Sequence, residues 1–274
     1  MKGNETMTPN EEWGLMGKVA IVTGGGAVGD GIGNGRAACI LLARAGAHVL
    51  VVDKDVALAE RTVAMIAEEG GAVSAAASYD VTRSSECEAM VADAVKRWGR
   101  LDCLDNNVGI GSKGTVVEET EENWARVMHV NVDSMFLSCK HAIPAMIESK
   151  DGGSIVTISS ISALRPRGLT AYSVSKGAVI ALTQAMAVDH GPDGIRANCV
   201  FPGPVYTPMV YARGMTDQAR DARRKASVLG REGTGWDIGA AVRFLLSEQA
   251  RFITGQVLGV DGGATLVGPS RASQ

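Results

Sequence analysis

The sequence contains no C-x-x-C pair. Cys39, Cys87, Cys103, Cys139 and Cys199 stand far apart, and their number is odd. That usage excludes a disulfide framework and fits reduced, buried thiols in a cytoplasmic protein. Histidine is scarce. His48, His129, His141 and His190 lack metal-ligand spacing, so no metal site is expected. No apolar run approaches the ~18 residues of a membrane span. The first residues are polar and acidic and lack the apolar stretch of a signal peptide. They read as a flexible leader over residues 1–14. The net charge of −3 leaves no basic surplus to attract nucleic acid. Neither a Pro/Ser-rich linker nor an internal repeat divides the chain. One domain is therefore expected over residues 15–274.

What is present is apolar residue and glycine. The chain has 274 residues, 46% of them hydrophobic and 34 of them glycine. Short apolar runs alternate with longer helical patterns. The expected strands are 19–23, 49–53, 72–79, 103–106, 154–159, 195–201 and 256–260. The expected helices are 36–45, 57–69, 84–98, 123–148, 172–190 and 236–248. Continuous apolar strands separated by helices predict an α/β fold: a Rossmann-type doubly wound parallel sheet of about seven strands, covered on both faces. The segment 204–233 breaks this rhythm. It is charged and has no strand pattern. Ligands bind outside the carboxyl ends of such strands, so this segment is expected to form a substrate lid.

The first strand runs into a glycine-rich stretch, residues 23–36, that opens a helix. Glycines there let the backbone approach a pyrophosphate at a helix N-terminus. Asp53 closes the second strand about 20–30 residues later, the place of a ribose-binding carboxylate. It would repel a 2′-phosphate, which favours NAD over NADP. Lys54 follows and softens that repulsion. A third feature is Tyr172-x-x-x-Lys176, which shares one face of a helix. A free tyrosine, with a pKa near ~10, is a poor base at neutrality. Moving it down by ~3 units takes roughly 4 kcal/mol, which a lysine and a cationic nicotinamide could supply in a dry cleft. Alone, such a pair is frequent by chance.

Its context is not chance. The chain resembles the short-chain dehydrogenase/reductase family, in its branch of about 250 residues, from Lys18 to about Val267. Thr23-Gly24 with Gly31-Ile32-Gly33 is similar to the cofactor glycine motif. Asp80-Val81 resembles the pair that meets the adenine ring. Asn106-Asn107-Val108-Gly109 resembles the segment ending the fourth strand. Asn131 resembles the family's helix asparagine, and Ser159-Ser160 precedes the Tyr-Lys pair. Pro202-Gly203-Pro204-Val205-Tyr206-Thr207 is similar to the segment that holds the nicotinamide carboxamide. Val260-Asp261-Gly262-Gly263 resembles the C-terminal signature.

Two positions depart from the pattern. Six residues separate Gly24 from Gly31 where the family has three, and a second alignment uses Gly33-Asn34-Gly35. Ser159 precedes Tyr172 by thirteen residues and Ser160 by twelve, and Ser160 is favoured.

The resemblance implies an NAD(H)-dependent oxidoreductase that interconverts a secondary alcohol and a ketone. Tyr172 is then the general acid/base and Lys176 lowers its pKa and binds the nicotinamide ribose. Ser160 donates to the substrate oxygen. Asn131 holds a water linking Lys176 to solvent. Gly24, Gly31, Ile32, Gly33, Asp53, Asp80, Val81, Asn107, Gly109, Pro202, Val205 and Thr207, with Tyr172 and Lys176, form the cofactor site. The alternatives are an NADPH-dependent 3-oxoacyl reductase and a non-catalytic NAD-binding regulator. In the lid, Arg213, Arg220, Arg223, Arg224 and Lys225 form either a solvated helix face or an attraction for an anionic substrate. The resemblance also implies a homotetramer joined through helices 123–148 and 172–190.

Overall fold

The structure, a computed structural model, describes residues 13–212 and 214–266. The expected leader lies almost wholly outside the described residues, as do Arg213 and Val267. Seven strands form one parallel sheet in the order β3-β2-β1-β4-β5-β6-β9. They are β1 (Val19–Thr23), β2 (His48–Asp53), β3 (Ser74–Ser78), β4 (Cys103–Asn106), β5 (Gly153–Ile158), β6 (Ile195–Pro202) and β9 (Val257–Val260). Every residue of β1 is buried, which is why its sequence is apolar without alternation. Parallel register pairs Val22 with Val51 on one side and with Asp105 on the other.

Helices cover both faces. α1 (Asn34–Arg44), α2 (Val56–Glu68) and α9 (Gly235–Leu246) lie on one. There Cys39, Leu42, Ile66, Val242 and Leu245 pack over Val22, Val51 and Val156. α3 (Ser84–Trp98), α5 (Ser134–Glu148) and α6 (Thr170–Asp189) lie on the other, where Met90, Cys139 and Met186 pack over Ile21, Leu104 and Ile155. Strand order reverses between β1 and β4. In doubly wound sheets the ligand crevice opens at that point, beyond the strands' carboxyl ends.

Two expectations need refinement. Residues 123–148 form one unbroken helical stretch but not a uniform α-helix: α4 (Glu121–Met128) passes through a π turn, His129–Asp133, into α5. The π turn brings Asn131 fully inside. Nor is the lid without strands. It contains β7 (Val205–Tyr206), α7 (Pro208–Tyr211), α8 (Asp217–Lys225) and β8 (Gly233–Thr234), with β7 and β8 paired. α8 has no buried residue, so it lacks the apolar stripe by which a helix is read from sequence. The Thr216 cap and the Lys225–Asp221 ion pair at 2.6 Å hold it instead.

Candidate active site

Tyr172 lies in the first turn of α6, where its amide donates to Ser112 Oγ at 3.0 Å. One turn on, Lys176 is buried, and its Nζ donates to the Ile158 carbonyl at the end of β5 at 2.8 Å. That Nζ stands 5.9 Å from the centroid of the Tyr172 ring. Burial pushes the Lys176 ammonium down to about 8. Burial also raises the Tyr172 phenol, while the Ser160 hydroxyl bonded to it works in the opposite sense. These groups alone therefore do not make the phenol acidic.

The two serines differ. Ser159 Oγ donates to the Lys176 carbonyl at 2.7 Å and fastens α6 to β5. Ser160 Oγ accepts from the Ser162 amide at 3.1 Å and meets the phenol of Tyr172. Asn131 is the crosspiece. Its Oδ1 accepts from the Ile110 amide at 2.7 Å, and its Nδ2 donates to the Ile110 carbonyl and to Ser175 Oγ, each at 2.9 Å. Ser175 Oγ in turn donates to the Tyr172 carbonyl at 2.7 Å. The side-chain amide expected to hold a water is thus engaged chiefly with the backbone of Ile110. Asn131, Ser160, Tyr172 and Lys176 come together at the carboxyl ends of β4 and β5.

Beside them opens a cavity of about 470 Å³. Six of the expected cofactor residues line it: Gly24, Asp53, Asp80, Val81, Asn107 and Gly109. The Asp53 carboxylate is fixed, accepting from the amides of Gly26 and Asp55, each at 3.1 Å. Lys54, expected to soften its charge, is paired with Asp80 at 3.0 Å. The Thr82 hydroxyl and amide, with Lys54, hold the Asp80 carboxyl down at about 2. Pro202 ends β6, Val205 starts β7, and Thr207 caps α7, on the lid side of the crevice.

The residues present fit a dinucleotide. Asn107 Oδ1 is buried without a partner among the described residues. A methyl group on Gly109 would stand 3.1 Å from Lys176 Nζ, so the backbone leaves open the space beside the lysine. A fully buried acid, Asp105, sits behind Asn107, whose Nδ2 donates to it at 2.5 Å. Burial raises Asp105 to about 7.

The glycine loop is longer than the usual motif, and Arg36 explains how it holds its shape. Arg36 is fully buried. Its guanidinium donates to the carbonyls of Ala27 (2.7 Å), Gly29 (2.6 Å) and Gly31 (2.8 Å), and its Nε to Thr62 Oγ1 (2.9 Å). The alignment through Gly33 and Gly35 fits the helix start better than the one through Gly31. Gly33 is the N-cap of α1, and a methyl group on Gly35 would stand 2.2 Å from the Gly24 carbonyl. Only glycine allows that approach. Gly31 and Ile32 belong to the inserted loop. Gly31 packs against Pro208 and Tyr211, so the loop touches the lid. Gly35 and Arg36 were absent from the expected site. Gly35 was legible in the second spacing, whereas the Arg36 clamp binds main-chain carbonyls and leaves no side-chain pattern to read.

A Rossmann sheet with a Tyr–Lys pair beside its crevice defines a nicotinamide-dependent oxidoreductase. A family model described as enoyl-(acyl carrier protein) reductase matches residues 25–265. The 2-(S)-hydroxypropyl-CoM dehydrogenase 3 of Xanthobacter autotrophicus is 40% identical over 258 residues, 92% of this chain and 98% of that protein. The cyclopentanol dehydrogenase of a Comamonas species is 38% identical over 90% of this chain and 97% of its own. A crystal structure of a short-chain dehydrogenase/reductase from Burkholderia xenovorans superposes with a TM-score of 0.87 at 38% identity, covering 93% of this chain and 98% of that one. The chain belongs to the short-chain dehydrogenase/reductase family.

Proposed function

We propose that the chain interconverts a secondary alcohol and a ketone with NAD(H), Tyr172 acting as general acid/base. The observation that carries this reading is the meeting of the Tyr172 phenol with Ser160, one turn from the buried Lys176. When bound, the nicotinamide supplies or takes the hydride and, oxidised, carries a positive charge. Tyr172 takes the alcohol proton or returns it to the carbonyl oxygen. Ser160 donates a hydrogen bond to that oxygen, where charge develops. Lys176 contributes positive charge beneath the phenol, opposing the burial that raises it. Asn131 positions this group by tying Ile110 to Ser175. The residues lining the 470 Å³ cavity hold the dinucleotide, with Asp53 at the adenosine ribose and Asp80-Val81 at the adenine. Pro202, Val205 and Thr207 hold the carboxamide end.

Two relatives named as alcohol dehydrogenases support the reaction class. The description of the matching family model names an acyl-carrier substrate instead, which leaves the NADPH-dependent 3-oxoacyl reductase as the second reading. The fixed Asp53 carboxylate opposes that reading. A non-catalytic regulator would have no need to keep all four of Asn131, Ser160, Tyr172 and Lys176. The exposed Phe136 of α5 and Val174 and Val188 of α6 support a homotetramer joined through those helices, which sedimentation tests. Five free, buried cysteines support a cytoplasmic setting; no described helix is long and apolar enough to cross a membrane. NADH absorbance, followed with NAD and a panel of secondary alcohols, tests the activity. No signal from any alcohol with NAD or NADP would overturn it.

A further inference from the structure

A second cavity, of about 540 Å³, lies between the loop that follows Ser160 and the lid helix α8. Ile161 opens its wall immediately after Ser160, and Arg165, Pro166 and Arg167 continue it. Arg223 and Lys225 of α8 face them across the opening. No acidic residue lines the cavity among the described residues. The cations differ in how they are matched. Arg223 is neutralised by Glu232 at 2.5 Å and also donates to the Val205 carbonyl, and Lys225 pairs with Asp221 at 2.6 Å. Arg165 donates only to the Ala264 carbonyl, and Arg167 has no partner among the described residues.

Charge is concentrated here. Residues 161–170 and 204–233 hold eight basic and three acidic residues, in a chain whose net charge is −3. Arginines on an ordinary solvated face find acids nearby, as Arg220, Arg223 and Arg224 do. Arg165 and Arg167 instead flank a proline, whose fixed φ limits their common backbone. They face a concave wall that holds further cations. Such a wall focuses positive potential and attracts an anion. Guanidinium groups suit the paired oxygens of a carboxylate, phosphate or sulfonate.

The site is close to the chemistry. The Arg165 amide donates to the Ile161 carbonyl at 2.8 Å, so the segment coils directly off Ser160. At about 2 Å per residue, that coil puts the Arg165 backbone within roughly 10 Å of Ser160.

We propose that this cavity is an oxyanion subsite, and that the substrate is a secondary alcohol or ketone carrying a terminal carboxylate, phosphonate or sulfonate held by Arg165 and Arg167. The proposal rests on the alcohol dehydrogenase reading for the reacting end of the substrate, but the anion site can be tested without turnover. Pentylphosphonate, which cannot be oxidised at a carbinol, is titrated calorimetrically into the full chain with NAD present. Saturable binding is expected, weakened roughly tenfold in Arg167→Gln, as loss of one charge-assisted contact implies. Absence of saturable binding, or equal binding by both proteins, overturns the subsite.

A second measurement compares 4-hydroxypentanoate with 2-pentanol, which differ only in the terminal group. The expected kcat/KM ratio favours the acid by about tenfold or more, and the ratio collapses in Arg167→Gln through KM. Arg165→Lys keeps the charge and retains part of the preference, whereas Arg165→Gln loses it. A ratio near unity in the parent chain overturns the substrate class. Phosphonate binding with neither alcohol oxidised leaves the subsite standing and removes the dehydrogenase reading instead.

Discussion

The Ser159 hydroxyl donates to the main-chain carbonyl of Lys176 at 2.7 Å. That bond fixes α6 on the end of β5, and it turns Ser159 away from any substrate. Ser160, one residue on, faces the Tyr172 phenol. The two serines should therefore fail in different ways. Ser160→Ala is expected to lower kcat about 10²-fold or more with unfolding unchanged. Ser159→Ala is expected to remove about 1 kcal/mol of stability and leave kcat within several-fold. Steady-state rates and urea unfolding on both variants check this. A larger kcat loss in Ser159→Ala at normal stability would reverse the assignment.

Tyr172→Phe keeps the ring packed and removes the hydroxyl alone. Turnover is expected to fall by roughly 10³-fold or more, while NAD affinity changes little. Equilibrium binding of NAD beside the rate measurement separates the two. Activity within a few-fold of the parent chain would remove Tyr172 from the chemistry.

Asp53 is braced by two backbone amides, and Lys54, expected to offset its charge, is paired to Asp80. The carboxylate therefore meets a 2′-phosphate with little relief. Asp53→Ala is expected to lower the NAD-over-NADP ratio of kcat/KM by about tenfold or more. The ratio itself is the measurement, because loss of the Gly26 contact lowers both activities together. An unchanged ratio would take the ribose role from Asp53.

Much of this molecule was legible from residue order, for identifiable reasons. β1 and β4 match their expected limits because both are short, wholly buried runs. α3 ends where expected because Gly99 takes the left-handed conformation at φ 78. The helical stretch 123–148 was legible, but the π turn at His129–Asp133 was not, because it shifts the hydrogen bonds without interrupting the helix. α8 was legible only as a solvated helix face, without limits, because nothing in it is buried. The Tyr172–Lys176 pair was visible as an interval of four. The bond of Lys176 to Ile158 was not, since it joins residues eighteen apart through a main-chain oxygen. The same holds for Arg36.

Asp105 is a buried acid facing the core at the base of the crevice. Its folded pKa of about 7 lies above the ordinary carboxylate value near ~3.9. Between those values the folded chain keeps a proton that the unfolded chain has lost. The contribution of Asp105 is therefore fully present below pH ~4 and lost as pH rises through about 7. Asp105→Asn keeps the shape without the charge. The variant is expected to match the parent near pH ~4 and to exceed it above pH ~7, by up to about 4 kcal/mol. Urea unfolding across that range checks it, and parallel curves would show that Asp105 is not the titrating group.

Arg36 offers the strictest test of how the long glycine loop works. Its guanidinium is enclosed by loop carbonyls, and burial lowers its pKa. Arg36→Met fills much of the volume but leaves those carbonyls without a donor. About 3 kcal/mol of stability should go, at roughly 1 kcal/mol for each lost bond. The loop is also the wall between Gly24 and the lid, since Gly31 rests on Pro208 and Tyr211. NAD affinity is therefore expected to weaken about tenfold, read by titration well below the unfolding temperature. Arg36→Lys carries the charge but lacks the planar fork, so it should restore stability only in part. Hydrogen exchange at residues 27–31 supplies the local readout. Faster exchange there with unchanged NAD affinity would mean that the clamp serves the fold alone; weaker affinity with protected loop amides would mean that Arg36 acts on the cofactor by its charge.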